Sequence, residues 1–276
     1  MSPSENIWNH PSRVYALDRW EEQSRALGQQ VTDAIVAAAA PRAGEAVLDV
    51  ACGTGEPSLT LARMVGASGH VIGTDISSRP LENARERATR QNLSNVDFRE
   101  ADVHHLPFAE ACFDLVTSRL GVMFFADLDK AMSELHRVLK PQGRMALLAW
   151  GHYKDQDYFR AITEPVMQML GAEFPAATRT MFKFGDTERL REALLRAGFK
   201  DAIVESHPVP YVWHGTAEEL WAYFQQLALP WKPLLEQIPE ARRAEIEAAV
   251  FASLNRRRVE DRLELRATIT LATAHK

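Results

Sequence analysis

Apolar and polar positions along this chain follow two rhythms that keep trading places. Between residues 13 and 40, Val14, Leu17, Trp20, Leu27, Val31, Ile35 and Val36 recur at helical spacing, and Pro41 and Gly44 end that segment. Compact apolar runs at Ala46–Val50, His70–Asp75, Val96–Arg99, Phe113–Ser118 and Arg144–Trp150 predict buried strands. Amphipathic stretches at Pro57–Met64, Pro80–Gln91 and Leu128–Leu139 predict helices among them. Such alternation implies an α/β fold of parallel βαβ units with helices on both faces. Right-handed crossovers then leave every loop that follows a strand on one edge of the sheet.

After Trp150 the rhythm changes. Asp186–Ala197 reads as an amphipathic helix closed by Gly198, Ala202–Trp213 as a strand, residues 215–258 as mostly helix, and Leu263–Ala274 as a last strand. The two late strands are expected to form an antiparallel pair at the sheet edge, with the helical segment inserted as a cap over the ligand edge. This gives an N-terminal helical lid (1–40), a core (41–214), a helical cap insertion (215–262) and a last core strand (263–276).

Composition narrows the function. A chain of 276 residues buries a core without metals or disulfides. Its formal net charge of −5 opposes general binding to nucleic acid or to an anionic membrane. Cys52 and Cys112 stand alone with no C-x-x-C spacing, which fits a reducing compartment and predicts no structural metal. The first twenty residues lack an apolar targeting core, and no uncharged run could span a bilayer, so a cytoplasmic location is expected.

The candidate chemistry begins at "VLDVACGTGEPS", residues 47–58. Gly53 and Gly55 form a turn between strand and helix that lets a ligand approach the backbone. A dinucleotide site wants a third glycine where this chain has Ser58, and Glu56 puts negative charge where a pyrophosphate would lie. Asp49 suits an ammonium group, Asp75 at the end of the second strand suits a ribose diol, and Asp102 suits an adenine amino group, with Val103 beside the ring edge. S-adenosylmethionine has those parts and no phosphate.

In their order and content, the blocks VLDVACGTG, VIGTDIS, ADVHHLPF, FDLVTSRLGVMFF and ELHRVLKPQGRMALLAW resemble the class I S-adenosylmethionine-dependent methyltransferases, and most closely the ubiquinone/menaquinone-biosynthesis-type group acting on small molecules. The likeness covers residues 45–151 well and parts of 186–213 more loosely. It implies a Rossmann-like, doubly wound seven-stranded sheet, mostly parallel with an antiparallel last strand, plus a helical cap. By the same resemblance Asp49, Ala51, Gly53 and Gly55 line the methionine part, Asp75 and Ile76 the ribose, Asp102 and Val103 the adenine, and Ser118 and Arg119 the amino acid end. Two positions depart from the family pattern: Ala51 and Gln142 stand where many members have glycine.

The acceptor side is less defined. Ser118-Arg119-Leu120-Gly121 differs from the Asn/Asp-Pro-Pro-aromatic loop that grips amide or base nitrogens in this superfamily, and it carries no acids for metal-assisted catechol chemistry. Asp127 and Asp129 read as helix-cap residues. Arg119 could pair with an enolate, phenolate or carboxylate, and His105, beside His104, could serve as a base. Aromatic residues crowd the late segment, so Tyr15, Met123, Trp213 and Trp221 are candidates for an apolar acceptor pocket. The expected activity is in-line methyl transfer to carbon or oxygen of a small hydrophobic or aromatic acceptor. A catalytically silent S-adenosylmethionine-binding protein and an NAD-type oxidoreductase are the competing readings.

Overall fold

A computed structural model describes Ala16 and residues 19–276. The expectations for Val14, Tyr15 and Leu17 lie outside the described residues. The elements are α1 (Glu21–Ala39), β1 (Ala46–Val50), α2 (Ser58–Val65), β2 (His70–Asp75), α3 (Ser78–Arg90), β3 (Val96–Glu100), β4 (Phe113–Arg119), α4 (Leu128–Val138), β5 (Leu139–Trp150), α5 (Asp157–Leu170), α6 (Ala176–Arg179), α7 (Thr187–Arg196), β6 (Lys200–His214), α8 (Ala217–Leu227), α9 (Lys232–Leu235), α10 (Arg243–Asn255), β7 (Arg258–Val259) and β8 (Arg262–His275).

Along one sheet the strands run β3-β2-β1-β4-β5-β8-β6, with the two-residue β7 paired to the start of β8. The pairs β1–β2, β1–β4, β2–β3 and β4–β5 are parallel. β8 runs antiparallel to β5, from Arg144 against His275 to Trp150 against Ile269. The antiparallel last strand therefore lies between β5 and β6, with β6 at the border of the sheet. Val47, Leu48 and Val50 are all fully buried, as are Leu115 and Val116, so these strands are covered on both faces as parallel sheets require. Each such Val or Leu contributes roughly 1.5–3 kcal/mol on burial.

The chain forms two compact units. One holds Val31–Trp150, Phe184–His207 and Ile269–Lys276, and so contains the Gly-x-Gly loop and most of the sheet. The other holds Gly151–Lys183, Pro208–Thr268 and the described residues up to Gln30. That second unit takes in α5, to which the sequence reading assigned no element. Its apolar face, Tyr158, Phe159, Ile162 and Val166, is buried, and Pro165 lies inside the helix. Arg257 pins the start of α5 by an ion pair with Asp157, and Gln156 donates to the Thr268 carbonyl.

Some predicted boundaries move. α3 begins at Ser78 instead of Pro80, which then occupies its first turn, where a missing N–H costs nothing. β5 starts at Leu139 because Phe113 pairs with Leu139, with the ladder shifting before Leu115 meets Arg144. The two family-departing residues share one geometry: Ala51 has φ +55° and Gln142 φ +66°, both in the left-handed region where glycine is free of strain.

Candidate functional site

The parallel register places the ends of β1, β2, β3 and β4 on one edge, with Asp75 opposite Glu100 and Asp49 opposite Thr117. Asp49, Asp75 and Arg119 stand at or near the C-terminal ends of their strands, and the loops beyond carry Gly53, Gly55 and Asp102. An edge of this kind is the usual ligand crevice of a doubly wound sheet.

Gly53 (φ +55°) and Gly55 (φ +104°) turn the chain from β1 into α2. A Cβ on Gly55 would press on Leu59 and Ala84, whereas beside Gly53 nothing lies within 4 Å, so that side of the loop is open. The loop is held from two directions. Asp75 accepts from the Gly53 N–H and the Ser77 N–H, each at 2.9 Å. From α3, the buried Arg87 donates to the Thr54 carbonyl at 2.7 Å and to Glu56 at 3.2 Å. Glu56 also accepts from Thr60 in the first full turn of α2. Its carboxylate is therefore fixed and paired at the helix start, in the space a phosphate would need.

Asp49 faces inward. It is fully buried, and its two oxygens accept from the hydroxyls of Ser58 at 2.5 Å and Thr117 at 2.7 Å. Burial pushes its pKa up to about 6, with both hydrogen bonds and the nearby Arg119 charge acting against that rise. In this placement Asp49 braces the loop from behind and presents no surface to an ammonium group. Cys52 is buried, with its thiol pKa raised by burial and by Asp49 and Asp75, as befits a packed side chain.

On β4, Ser118 is fully buried and its Oγ has no hydrogen-bond partner among the described residues. A buried hydroxyl left in that state costs about 1–3 kcal/mol and calls for a ligand or water. Next to it, Arg119 is half-buried and donates from Nε to the Glu56 carbonyl at 3.3 Å. Gly121 is obligatory for packing: a Cβ there would come within 2.4 Å of the Ala51 Cβ and 2.8 Å of Ser118 Oγ.

The segment after β3 is fastened to α4. Arg137 donates to the Leu106 and Phe108 carbonyls, and Glu134 accepts from the Leu106 N–H. Asp102 Oδ1 accepts from the backbone N–H of His104 at 2.9 Å and from its ring Nδ1 at 2.5 Å. Burial raises the Asp102 pKa, but the hydrogen bonds and charge of His104 outweigh it and the net shift is downward. Both of these bonds fall on Oδ1, and the Asp102 side chain is 44% exposed. Ile76 stands 54% exposed beside Asp75, an apolar surface suited to a flat ring.

The other sequence candidates are placed as follows. Val103 lies half-buried next to Asp102. His105 is exposed, and its Nε2 accepts from the Lys130 ammonium at 2.6 Å, which uses the lone pair a base would need. Asp127 is the N-cap of α4, accepting from the Lys130 N–H. Met123 is buried in the turn Val122–Phe124. In the helical unit, Trp213 is buried against Trp20 and Tyr223, and Trp221 donates from its indole N–H to Glu247. As placed, both tryptophans serve the packing of that unit. Sequence reasoning missed Ser58, Thr117 and Arg87, whose contributions arise from residues brought together by the fold.

The open flank of Gly53 and the partnerless Ser118 hydroxyl leave room and a polar group for a ligand at the edge that Asp75 ends. A methyltransferase domain family model matches residues 41–185. A demethylmenaquinone methyltransferase from Lactobacillus johnsonii is 33% identical over 174 residues, 59% of this chain and 71% of that one. A 2-phytyl-1,4-naphtoquinone methyltransferase from Nostoc punctiforme is 32% identical over 218 residues, 74% of this chain and 92% of that one. In fold, the crystal structure of a SAM dependent methyltransferase from Aquifex aeolicus is similar at a TM-score of 0.53 and 20% identity, covering 68% of this chain and 88% of that one. The chain belongs to the S-adenosylmethionine-dependent methyltransferases.

Proposed function

We propose that this methyltransferase acts on a carbon or oxygen of a small hydrophobic aromatic acceptor of the hydroxylated naphthoquinone kind. Support comes from the two relatives named for quinones and from Arg119, a half-buried cation at the C-terminal end of β4. The observation that carries the reading is the sheet edge where Asp75 holds the Gly53 turn, with the partnerless Ser118 hydroxyl on the neighbouring strand β4.

When bound, S-adenosylmethionine supplies an electrophilic methyl group on a sulfonium. The chain's work is to bind, orient and exclude water. Asp75 holds the ribose hydroxyls; because a carboxylate oxygen accepts more than one hydrogen bond, its contacts to Gly53 and Ser77 are compatible with this. Asp102 takes the adenine amino group and Ile76 covers the ring. Ser118 takes the amino acid end. Arg119 stabilises the anionic form of a hydroxylated ring, which places electron density on oxygen and on the neighbouring carbon. Positioning of this kind supplies much of the rate of an in-line transfer. His105 is left out as a base because Lys130 occupies its Nε2. A small-molecule acceptor, instead of nucleic acid, agrees with the net charge of −5.

Isotopically labelled S-adenosylmethionine incubated with the protein and reduced naphthoquinones, against polar acceptors of similar size, tests the reading with product mass spectrometry. Label in the naphthoquinol product is the expected result, and transfer only to polar acceptors overturns it. Asp75→Ala is expected to weaken S-adenosylhomocysteine binding by about 1–3 kcal/mol; unchanged affinity removes Asp75 from the ribose.

A further inference from the structure

We infer that His104 is a positioning residue that makes the cofactor site selective for a 6-amino purine. The inference rests on the cofactor reading above and adds a residue to it. Three hydrogen bonds carry it. The backbone N–H of His104 and its Nδ1 both converge on Asp102 Oδ1, at 2.9 and 2.5 Å. The Nε2 atom sits 3.2 Å from the backbone N of Asp127.

A backbone N–H can only donate, so Nε2 accepts and the ring proton resides on Nδ1. The imidazole is thereby held in one tautomer, as a donor toward Asp102. With two donors fixing Oδ1, the carboxylate loses its rotational freedom, and its second oxygen is directed away from the His104 clamp as a pure acceptor. An exocyclic amino group satisfies such an acceptor. A 6-oxo purine presents a carbonyl oxygen there and is repelled, because an acceptor facing an acceptor leaves both groups unpaired.

The groups around the ring support this role. Phe125 packs against it edge-on with centroids 6.4 Å apart. Asp127 caps α4 through its own side chain, so its N–H is free to bond His104. Lys130 is occupied by His105. The ring is 16% exposed, against 44% for Asp102, so the clamp lies beneath the carboxylate it steers. It also joins the base-reading acid to the end of the segment that begins at Ser118 and Arg119.

The test measures binding of S-adenosylhomocysteine and of its hypoxanthine counterpart, S-inosylhomocysteine, by calorimetry to the whole protein and to His104→Ala, His104→Asn and His104→Gln. The wild type is expected to prefer the amino form by at least about tenfold. His104→Ala is expected to lose most of that preference with little change in affinity for the oxo form. Asn places a donor where Nδ1 lies and is expected to restore it. Gln, whose amide reaches only the Nε2 position, is not. If both ligands weaken equally in every variant, His104 is merely structural and the inference fails. Equal failure of Asn and Gln to restore selectivity also overturns it, and this comparison decides the matter should His104→Ala not fold. Loss of all binding in the wild type would overturn the cofactor reading itself, whereas wild-type binding without discrimination overturns the role of His104 alone.

Discussion

Asp49 illustrates how one residue can be legible in kind and hidden in role. An acid near the end of the first strand is visible in the sequence; the direction of its carboxylate depends on Ser58 and Thr117, which the fold brings from α2 and β4. Burial raises its pKa from the ordinary 3.8 to about 6. Between those values the folded protein binds more protons at this group than the unfolded chain, so stability falls as pH rises through that window. Asp49→Asn removes the titration. The variant is therefore expected to gain on the wild type by at most about 3 kcal/mol between pH 3.5 and 7.5. Urea unfolding of both proteins across that range checks it, and a constant difference would show that Asp49 does not titrate there. His105 teaches a similar lesson, since its ring is spoken for by Lys130, a residue twenty-five positions away that no local pattern pairs with it.

At the scale of elements, the strand–loop–helix unit β1–α2 was readable because its apolar run, glycines and proline each have one local meaning. The tighter constraint lies at Gly121, after β4. Its φ is ordinary, −99°, so any residue could adopt the backbone. What forbids a side chain is the approach of Ala51 and Ser118. Gly121→Ala is expected to cost about 1–3 kcal/mol from overpacking and to weaken S-adenosylhomocysteine binding, because the displaced atoms belong to the Gly53 turn and to Ser118. Thermal unfolding and calorimetry read the two effects separately; wild-type values in both would mean the two loops have slack. α5 escaped sequence reading for a physical reason as well. Its apolar positions keep helical spacing, but Pro165 inside the run argues against a helix, and the Arg257–Asp157 pair that holds its start is contributed late in the chain.

At the scale of the whole molecule, the alternation of buried strands and amphipathic helices announced the parallel half of the sheet, and the family resemblance announced the last antiparallel strand. Where that strand goes depends on pairings between segments far apart, which local periodicity does not encode. β8 lies between β5 and β6, and Lys276 donates from Nζ to the Arg137 and Leu139 carbonyls. Deleting residues 269–276 is therefore expected to abolish cooperative unfolding, since it strips β5 of its partner from Arg144 to Trp150. A soluble truncated protein with a sharp transition, followed by circular dichroism, would contradict this. The two compact units each join segments far apart in sequence, and Gly151–Lys183 carries no composition shift to mark it.

The placement of β8 also has a consequence for birth on the ribosome. Translation delivers β1 through β6 before the strand that must separate β5 from β6. A nascent chain can thus assemble its nucleoside-binding half early, while the far border waits as an open seam with backbone donors and acceptors unspent. During that interval the growing polypeptide is exposed to mispairing, which favours slow release or chaperone shielding until its last residues arrive.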